Sequence, residues 1–326
     1  MKSNLSKNTI AIRAALESDE RFGAVIPPVH LTTTFAFKKF GVEQQYDYTR
    51  TANPTRDALA EAVTVLEGGH GATVTSSGMS ATTLVTALIN PNDYVIAPHD
   101  CYGGTFRLFS RLEERGLLRV KYVDQRDLKL LKQTIIQYKP KIVWVETPSN
   151  PLLRVVDVQA ISKIVKQSNT LLVVDNTFLT PIFQTPFKLG ADIVIHSTTK
   201  YINGHTDVVG GIVVTKDKAL HQTMQEWANI LGLSGAPFDS YLTLRGLRTL
   251  QLRMKAHEES ALALAEVLSE NPLVLKVNYP GLSSHPNHSL AKRQQQGFGG
   301  MLSFEIKGGL QEVEKFFKDI ECFSLA

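Results

Sequence analysis

Cysteine is scarce in this sequence: only Cys101 and Cys322 occur among 326 residues. Two cysteines cannot form the dense disulfide framework of a small secreted protein, so a reducing compartment, the cytoplasm, is expected. The N-terminal residues lack an apolar core followed by a cleavage site, which argues against a signal peptide. No apolar run approaches the ~20 residues that a membrane helix needs, so no membrane span is predicted.

A strong excess of one charge is also missing. The sequence has 35 Lys and Arg against 31 Asp and Glu, which leaves a formal charge of +4. Because these residues are spread along the chain without a basic stripe, no nucleic-acid partner is predicted. Neither CxxC nor HExxH occurs, and the His residues lack the spacing of metal ligands, so no metal site is predicted. No GxGxxG follows a predicted strand, which disfavours a dinucleotide site.

The sequence does contain a series of short, strand-sized hydrophobic segments rich in β-branched residues. They cover residues 72–76, 93–98, 119–123, 141–146, 171–176, 192–197 and 210–215. Hydrophobicity is nearly continuous within them, which is typical of strands buried on both faces of a parallel sheet. Helical segments separate most of them and indicate βαβ crossovers. The pattern predicts an α/β fold with a mostly parallel sheet.

Three regions differ in composition. Residues 1–60 are predicted to form an extended N-terminal arm, since 23–40 are rich in Pro, Thr and Phe without a sustained period. Residues 61–250 contain the predicted strands and form a large α/β domain. Residues 251–326 begin with a long helical segment and continue with one strand and one helix, too few elements to close a core. They are predicted to be the start of a small, incomplete α+β domain.

Two strand ends carry residues suited to an aldehyde cofactor. Ligands of open α/β sheets bind at the carboxyl ends of the strands, and Lys200 follows the sixth predicted strand there. Its amine can form a Schiff base, and the hydroxyls of Ser197 and Thr199 could hold a phosphate. Asp175 ends the fifth strand and could pair with a protonated pyridine nitrogen. Taken singly, Lys200 fits an ordinary surface lysine, and Asp175 fits a helix N-cap or a structural ion pair equally well.

Two further turns follow predicted strands. Gly78 lies in SSGMSA between a strand and a helix, where free N–H groups can bind an anion. Tyr102 follows the next strand and could stack on a flat ring, although a buried core tyrosine is the more common arrangement. A Schiff-base lysine, a pyridinium partner, a stacking ring and an anion cradle together predict a site for pyridoxal 5'-phosphate (PLP).

Longer motifs agree with this interpretation. The chain resembles the γ-subfamily of PLP-dependent enzymes of Cys/Met metabolism over its whole length. The resemblance is carried by YDYTRTANPTRDALA, TSSGMSA, APHDCYGGTFRLF, VETPSNPLLRVVD, VVDNTF, HSTTKYINGH and DSYLTLRGLRTL, of which HSTTKYINGH is the most specific. It implies the fold-type I PLP-dependent transferase architecture.

The resemblance also implies roles for single residues. Lys200 would carry PLP covalently and act in catalysis, Asp175 would pair with its ring nitrogen, and Tyr102 would stack on the ring and help to move protons. The phosphate would be held by two backbone groups and two hydroxyls, those of Gly78, Met79, Ser197 and Thr199.

A second group of residues would complete the site. In the family a tyrosine and an arginine of the neighbouring subunit reach the phosphate; here they match Tyr48 and Arg50. This implies active sites shared within dimers and a homotetramer. Asn150 would contact both the cofactor and the substrate carboxylate, and Asp47 and Arg107 match positions that help to choose the substrate.

The implied reaction is a γ-replacement in transsulfuration and methionine biosynthesis. O-Succinyl-L-homoserine, or another O-acylhomoserine, and L-cysteine would give L-cystathionine. A cystathionine γ- or β-lyase, an O-acylhomoserine sulfhydrylase and a truncated chain without activity stay open as alternatives. Thr51 stands where the family pattern can carry a second arginine. Family members also continue past Ala326 with the arginine that clamps the substrate carboxylate and with a glutamate linked to substrate choice.

Overall fold

The computed structural model describes residues 5–42, 44–318 and 320–325. In these residues the helices α1 to α13 span Lys7–Arg13, Pro54–Glu67, Gly78–Thr86, Gly103–Glu114, Leu128–Tyr138, Val158–Val165, Thr180–Phe183, Pro186–Leu189, Lys218–Leu231, Pro237–Leu247, Leu250–Glu270, His288–Gln294 and Leu310–Lys318. The strands β1 to β9 span Gly71–Thr75, Tyr94–Pro98, Arg119–Val123, Ile142–Glu146, Leu171–Asp175, Ile193–Ser197, Gly211–Thr215, Val274–Asn278 and Ser303–Ile306.

Seven strands form one sheet in the order β1-β7-β6-β5-β4-β2-β3. All neighbouring pairs are parallel except those of β7, which runs antiparallel to both β1 and β6. Each strand of this sheet lies within one residue of its predicted position. The mostly parallel sheet is therefore confirmed, and the carboxyl ends of β2, β4, β5 and β6 share one edge.

Both faces of the sheet are covered, which explains the continuous hydrophobicity of its strands. Within β4, Val143 and Val145 belong to one buried cluster, while Ile142 and Trp144 belong to the cluster on the other face. This alternation follows from the two-residue period of a strand. The edge-to-face contact between Trp144 and Phe109, with 5.5 Å between the ring centroids, anchors α4 to the sheet.

The predicted arm contains a helix that the sequence pattern did not indicate. Helix α1 has only seven residues, and it is held by burial of Ile10 and Ala11 against the main core. Helix α2 begins at Pro54, inside the predicted arm, because Asn53 caps it by accepting the Thr55 N–H at 2.9 Å. Residues 14–42 and 44–53 contain no helix or strand; one isolated bridge joins Thr34 to Tyr48. Residues 1–4 and 43 lie outside the described residues.

The C-terminal elements form a separate small core. Strands β8 and β9 pair antiparallel, and Ala261, Ala265 and Tyr279 are buried beneath them. The predicted division into three regions stays a prediction. In the part of the chain that the structure describes, no helix combines the length and apolar character required to cross a membrane.

Candidate active site

A cavity of about 280 Å³ opens at the carboxyl edge of the sheet. It is lined by residues that follow five different strands, so only the folded chain brings them together. Eight of the predicted site residues line it: Gly78, Met79, Tyr102, Asn150, Asp175, Ser197, Thr199 and Lys200.

Lys200 lies on a turn directly after β6. The turn is fixed by hydrogen bonds from Lys200 N to the Ser197 carbonyl at 3.2 Å and from the Arg253 guanidinium to the Tyr201 carbonyl at 2.6 Å. Among the described residues, no carboxylate lies within 4.0 Å of the Lys200 amine. Lys200 is an exposed residue that lines the cavity, so a ligand in the cavity can reach its amine.

Asp175 ends β5 and also lines the cavity. Its Oδ1 accepts the Thr177 N–H at 3.0 Å, and burial raises the pKa of this carboxyl. Helix α7 begins later, after Leu179, so Asp175 is not its N-cap. No Lys, Arg or His nitrogen within the described ranges lies within 4.0 Å of it. Both alternative roles are wrong, and a buried carboxylate without a protein cation fits a protonated ring nitrogen.

The first turn of α3 forms the cradle for an anion. Ser77 caps this helix by accepting the Ser80 N–H at 3.0 Å, while the N–H groups of Gly78 and Met79 have no partner within the helix. A Cβ atom at Gly78 would lie 2.6 Å from the Ser197 Cβ, so only glycine allows this close approach to β6. Free N–H groups at a helix N-terminus, with the Ser197 hydroxyl opposite, fit a phosphate.

Thr199 supplies a second hydroxyl to the cavity wall. Its Oγ1 accepts the Gly210 N–H at 3.0 Å, which holds the side chain against the residue that precedes β7. The hydroxyl lines the same cavity as the α3 turn, so the cradle combines backbone and side-chain groups from two elements.

Tyr102 lies at the start of α4 and is 45% exposed. The buried-core interpretation of this tyrosine is therefore wrong, and its ring is available to the cavity. A Cβ atom at Gly104 would collide with the Tyr102 ring and would lie 2.7 Å from the Met79 Sδ. The glycine thus leaves room for the ring beside α3.

The sequence reasoning missed one carboxyl group of the cavity wall. Glu146 ends β4, is 8% exposed, and lies opposite Asp175 in the parallel register of β4 and β5. Its Oε2 accepts the Tyr102 N–H at 2.7 Å and its Oε1 accepts the Asn150 N–H at 3.1 Å. Burial, and then the neighbouring Asp175 carboxylate, raise the pKa of Glu146. The signal was present, because IVWVE ends in a carboxylate just as LLVVD does.

The other four predicted site residues do not line this cavity. Asp47 and Tyr48 lie on the segment before α2, and Arg50 donates to the Asn229 carbonyl at 3.2 Å, with its guanidinium 5.6 Å from the Tyr48 ring centroid. Arg107 is exposed on α4. Within one chain, these residues are thus separate from the eight that meet at the sheet edge. In the described residues, no group of three or more His, Cys, Asp or Glu side chains could hold a metal ion.

Comparison with known proteins gives concordant matches. Residues 8–326 match the family described as Cys/Met metabolism PLP-dependent enzyme. The chain is 49% identical to cystathionine gamma-synthase of Escherichia coli (strain K12), covering 98% of this chain and 82% of that protein. It is 44% identical to cystathionine beta-lyase of Coxiella burnetii (strain RSA 493 / Nine Mile phase I), covering 98% and 83%.

The solved structures agree with these sequence matches. Cystathionine gamma-synthase from Xanthomonas oryzae pv. oryzae, crystallised in complex with aminoacrylate and cysteine, superposes with a TM-score of 0.97 at 50% identity, covering 99% of this chain and 83% of that one. This similarity confirms the predicted fold-type I architecture with its mostly parallel sheet. Because the family match spans nearly the whole chain and the relatives are similar over more than four fifths of their length, the chain belongs to the Cys/Met metabolism PLP-dependent enzymes.

Proposed function

We propose that this chain catalyses γ-replacement on an O-acyl-L-homoserine, with O-succinyl-L-homoserine as the favoured substrate. L-Cysteine supplies the sulfur: its S–Cγ bond forms, the Cγ–O bond breaks, and L-cystathionine and the free acid are released. The observation that carries the proposal is one cavity that combines the Lys200 amine, the Asp175 carboxylate and the anion cradle of α3.

The described residues can hold PLP in one orientation. The Gly78 and Met79 N–H groups and the hydroxyls of Ser197 and Thr199 would bind its phosphate at one end of the cavity. The Asp175 carboxylate would accept a hydrogen bond from the protonated ring nitrogen, and Tyr102 would lie against the ring. Bound PLP supplies an electron sink that makes protons next to the substrate amine acidic.

Among the side chains of the cavity, the Lys200 amine would take the most direct part in the reaction. Lys200 would hold the cofactor covalently and, once displaced by the substrate amine, would carry protons between substrate carbons on its Nζ. Asn150, which lines the same cavity, would orient the substrate carboxylate. We assign Asp47 and Arg107 to substrate selection, as the motif match suggests.

A lyase is the second candidate function, favoured by the 44% identity to the Coxiella burnetii beta-lyase. Purified chain saturated with PLP should form cystathionine from O-succinyl-L-homoserine and L-cysteine, as measured by mass spectrometry. Parallel reactions with cystathionine alone, and with sulfide in place of cysteine, serve as comparisons. If the chain released a 2-oxo acid from cystathionine at a higher rate than it formed cystathionine, the γ-replacement assignment would be contradicted.

The cytoplasmic location stays a prediction, which cell fractionation would test.

We further propose that two subunits share each active site within a homotetramer. The support is the position of Tyr48 and Arg50 outside the cavity of their own chain, on a segment with exposed apolar side chains such as Phe22 and Leu31.

A complementation experiment tests this sharing: Lys200→Ala subunits and Arg50→Ala subunits should each be nearly inactive alone. Refolded together in equal amounts, they should regain about one quarter of wild-type activity, because half of the dimers are mixed and each has one intact site. No recovery in proven mixed dimers would exclude sharing.

A further inference from the structure

Glu146 connects two loops that carry separate site residues. Its two carboxylate oxygens accept backbone N–H groups from Tyr102, which follows β2, and from Asn150, which follows β4. The two strands are neighbours in the sheet, but the residues belong to loops about fifty positions apart in the chain. One buried side chain therefore fixes the backbone at both positions.

A second set of contacts joins the same loops. The Ser149 hydroxyl donates to Asp100 at 2.7 Å, and the Arg154 guanidinium lies 3.3 Å from the same carboxylate. Ser149 N also donates to the Arg154 carbonyl at 3.0 Å, which closes the loop after β4 on itself. Two sets of side-chain contacts thus join the loops. Of the side chains that make these contacts, only Glu146 lines the cavity.

A carboxylate at this position has a cost that a neutral acceptor would avoid. Glu146 and Asp175 lie at the same register on neighbouring strands, both line the cavity, and no Lys, Arg or His nitrogen of the described residues lies within 4.0 Å of either. Two like charges at a buried site repel each other. A carboxyl group, however, has two oxygens that can each accept a backbone N–H, whereas an amide side chain has one.

We propose that Glu146 is a positioning residue that holds the Tyr102 and Asn150 loops in the geometry in which they meet the PLP ring. It acts through these two backbone N–H groups rather than by touching the reacting atoms. The inference rests on the proposed function only in treating Tyr102 and Asn150 as cofactor contacts.

Hydrogen exchange of the purified chain, with and without PLP, tests the proposal. Glu146→Ala should speed exchange about 10-fold or more at the Tyr102 and Asn150 amides, because both N–H groups lose their buried acceptor. Glu146→Gln retains one acceptor oxygen and should affect mainly one of the two loops. Glu113→Ala is the matched control: Glu113 accepts the Val120 N–H at 2.9 Å outside the cavity, so exchange should rise only there.

A second readout follows the cofactor itself. At equal PLP occupancy, both Glu146 variants should reduce the visible circular dichroism per bound cofactor, whereas Glu113→Ala should not. The proposal would be overturned if a folded Glu146 variant showed unchanged hydrogen exchange in both loops. If Glu146→Ala does not fold, the Glu146→Gln variant provides this test. If the wild-type chain failed to bind PLP, the proposed function would be refuted. The role of Glu146 in holding the two loops would still be tested, because hydrogen exchange is also measured without PLP.

Discussion

Replacement of Lys200 by alanine is expected to remove covalent attachment of PLP and to lower the rate of γ-replacement at least 10²- to 10⁴-fold, the usual contribution of a positioned acid–base group. The reason is structural: within the described residues, Lys200 is the one lysine that lines the cavity. Borohydride treatment of the wild-type chain should fix PLP to the peptide that contains Lys200. The measurements are visible absorbance, peptide mass spectrometry and initial rates.

Lys216→Ala is the control for this variant. Lys216 also follows a strand, β7, but that strand runs antiparallel, so the residue lies at the opposite edge of the sheet and pairs with Asp192 at 3.5 Å. The Lys216→Ala variant should retain the full visible absorbance of bound PLP and full activity. Borohydride labelling at another lysine, or wild-type activity in Lys200→Ala, would refute the assignment of Lys200.

Asp175→Asn has the second largest expected effect. The substitution keeps an oxygen that can accept the Thr177 N–H, so the local backbone should be preserved. It removes the negative charge that would keep the ring nitrogen protonated. Loss of one partner of a buried ion pair costs about 3–5 kcal/mol, which corresponds to a rate about 100-fold to several thousand-fold lower. Steady-state kinetics at saturating PLP measure this loss.

The matched control is Asp192→Asn. Asp192 also joins β5 to the start of β6, because its carboxylate accepts the Leu172 N–H at 2.9 Å. It lies, however, at the edge of the sheet opposite the cavity. It should change stability without a comparable effect on kcat. Equal losses in the two variants would indicate that Asp175 acts only through the stability of the sheet.

Local physical chemistry explains why so much of the site was predictable. Strands buried on both faces require continuous apolar runs, and polar residues that interrupt such a run at its end stand out, as Asp175 does. Gly78 and Lys200 lie next to such ends, and the rule that ligands bind at strand carboxyl ends then links them. Helix α1 was missed because seven residues carry too short a pattern, and its stability comes from packing of Ile10 and Ala11.

By itself, the sequence determined the seven strands of the main sheet and the family, because these depend on local patterns and motifs. Its motifs also named twelve candidate site residues, of which eight meet in the cavity. Only the tertiary structure decided that β7 runs antiparallel, that Asp175 has no cationic partner among the described residues, and that Glu146 ties the Tyr102 and Asn150 loops together. It also decided that Arg50 and Arg107 lie outside the cavity of their own chain. These features depend on which distant segments pack side by side, and no local pattern contains that information.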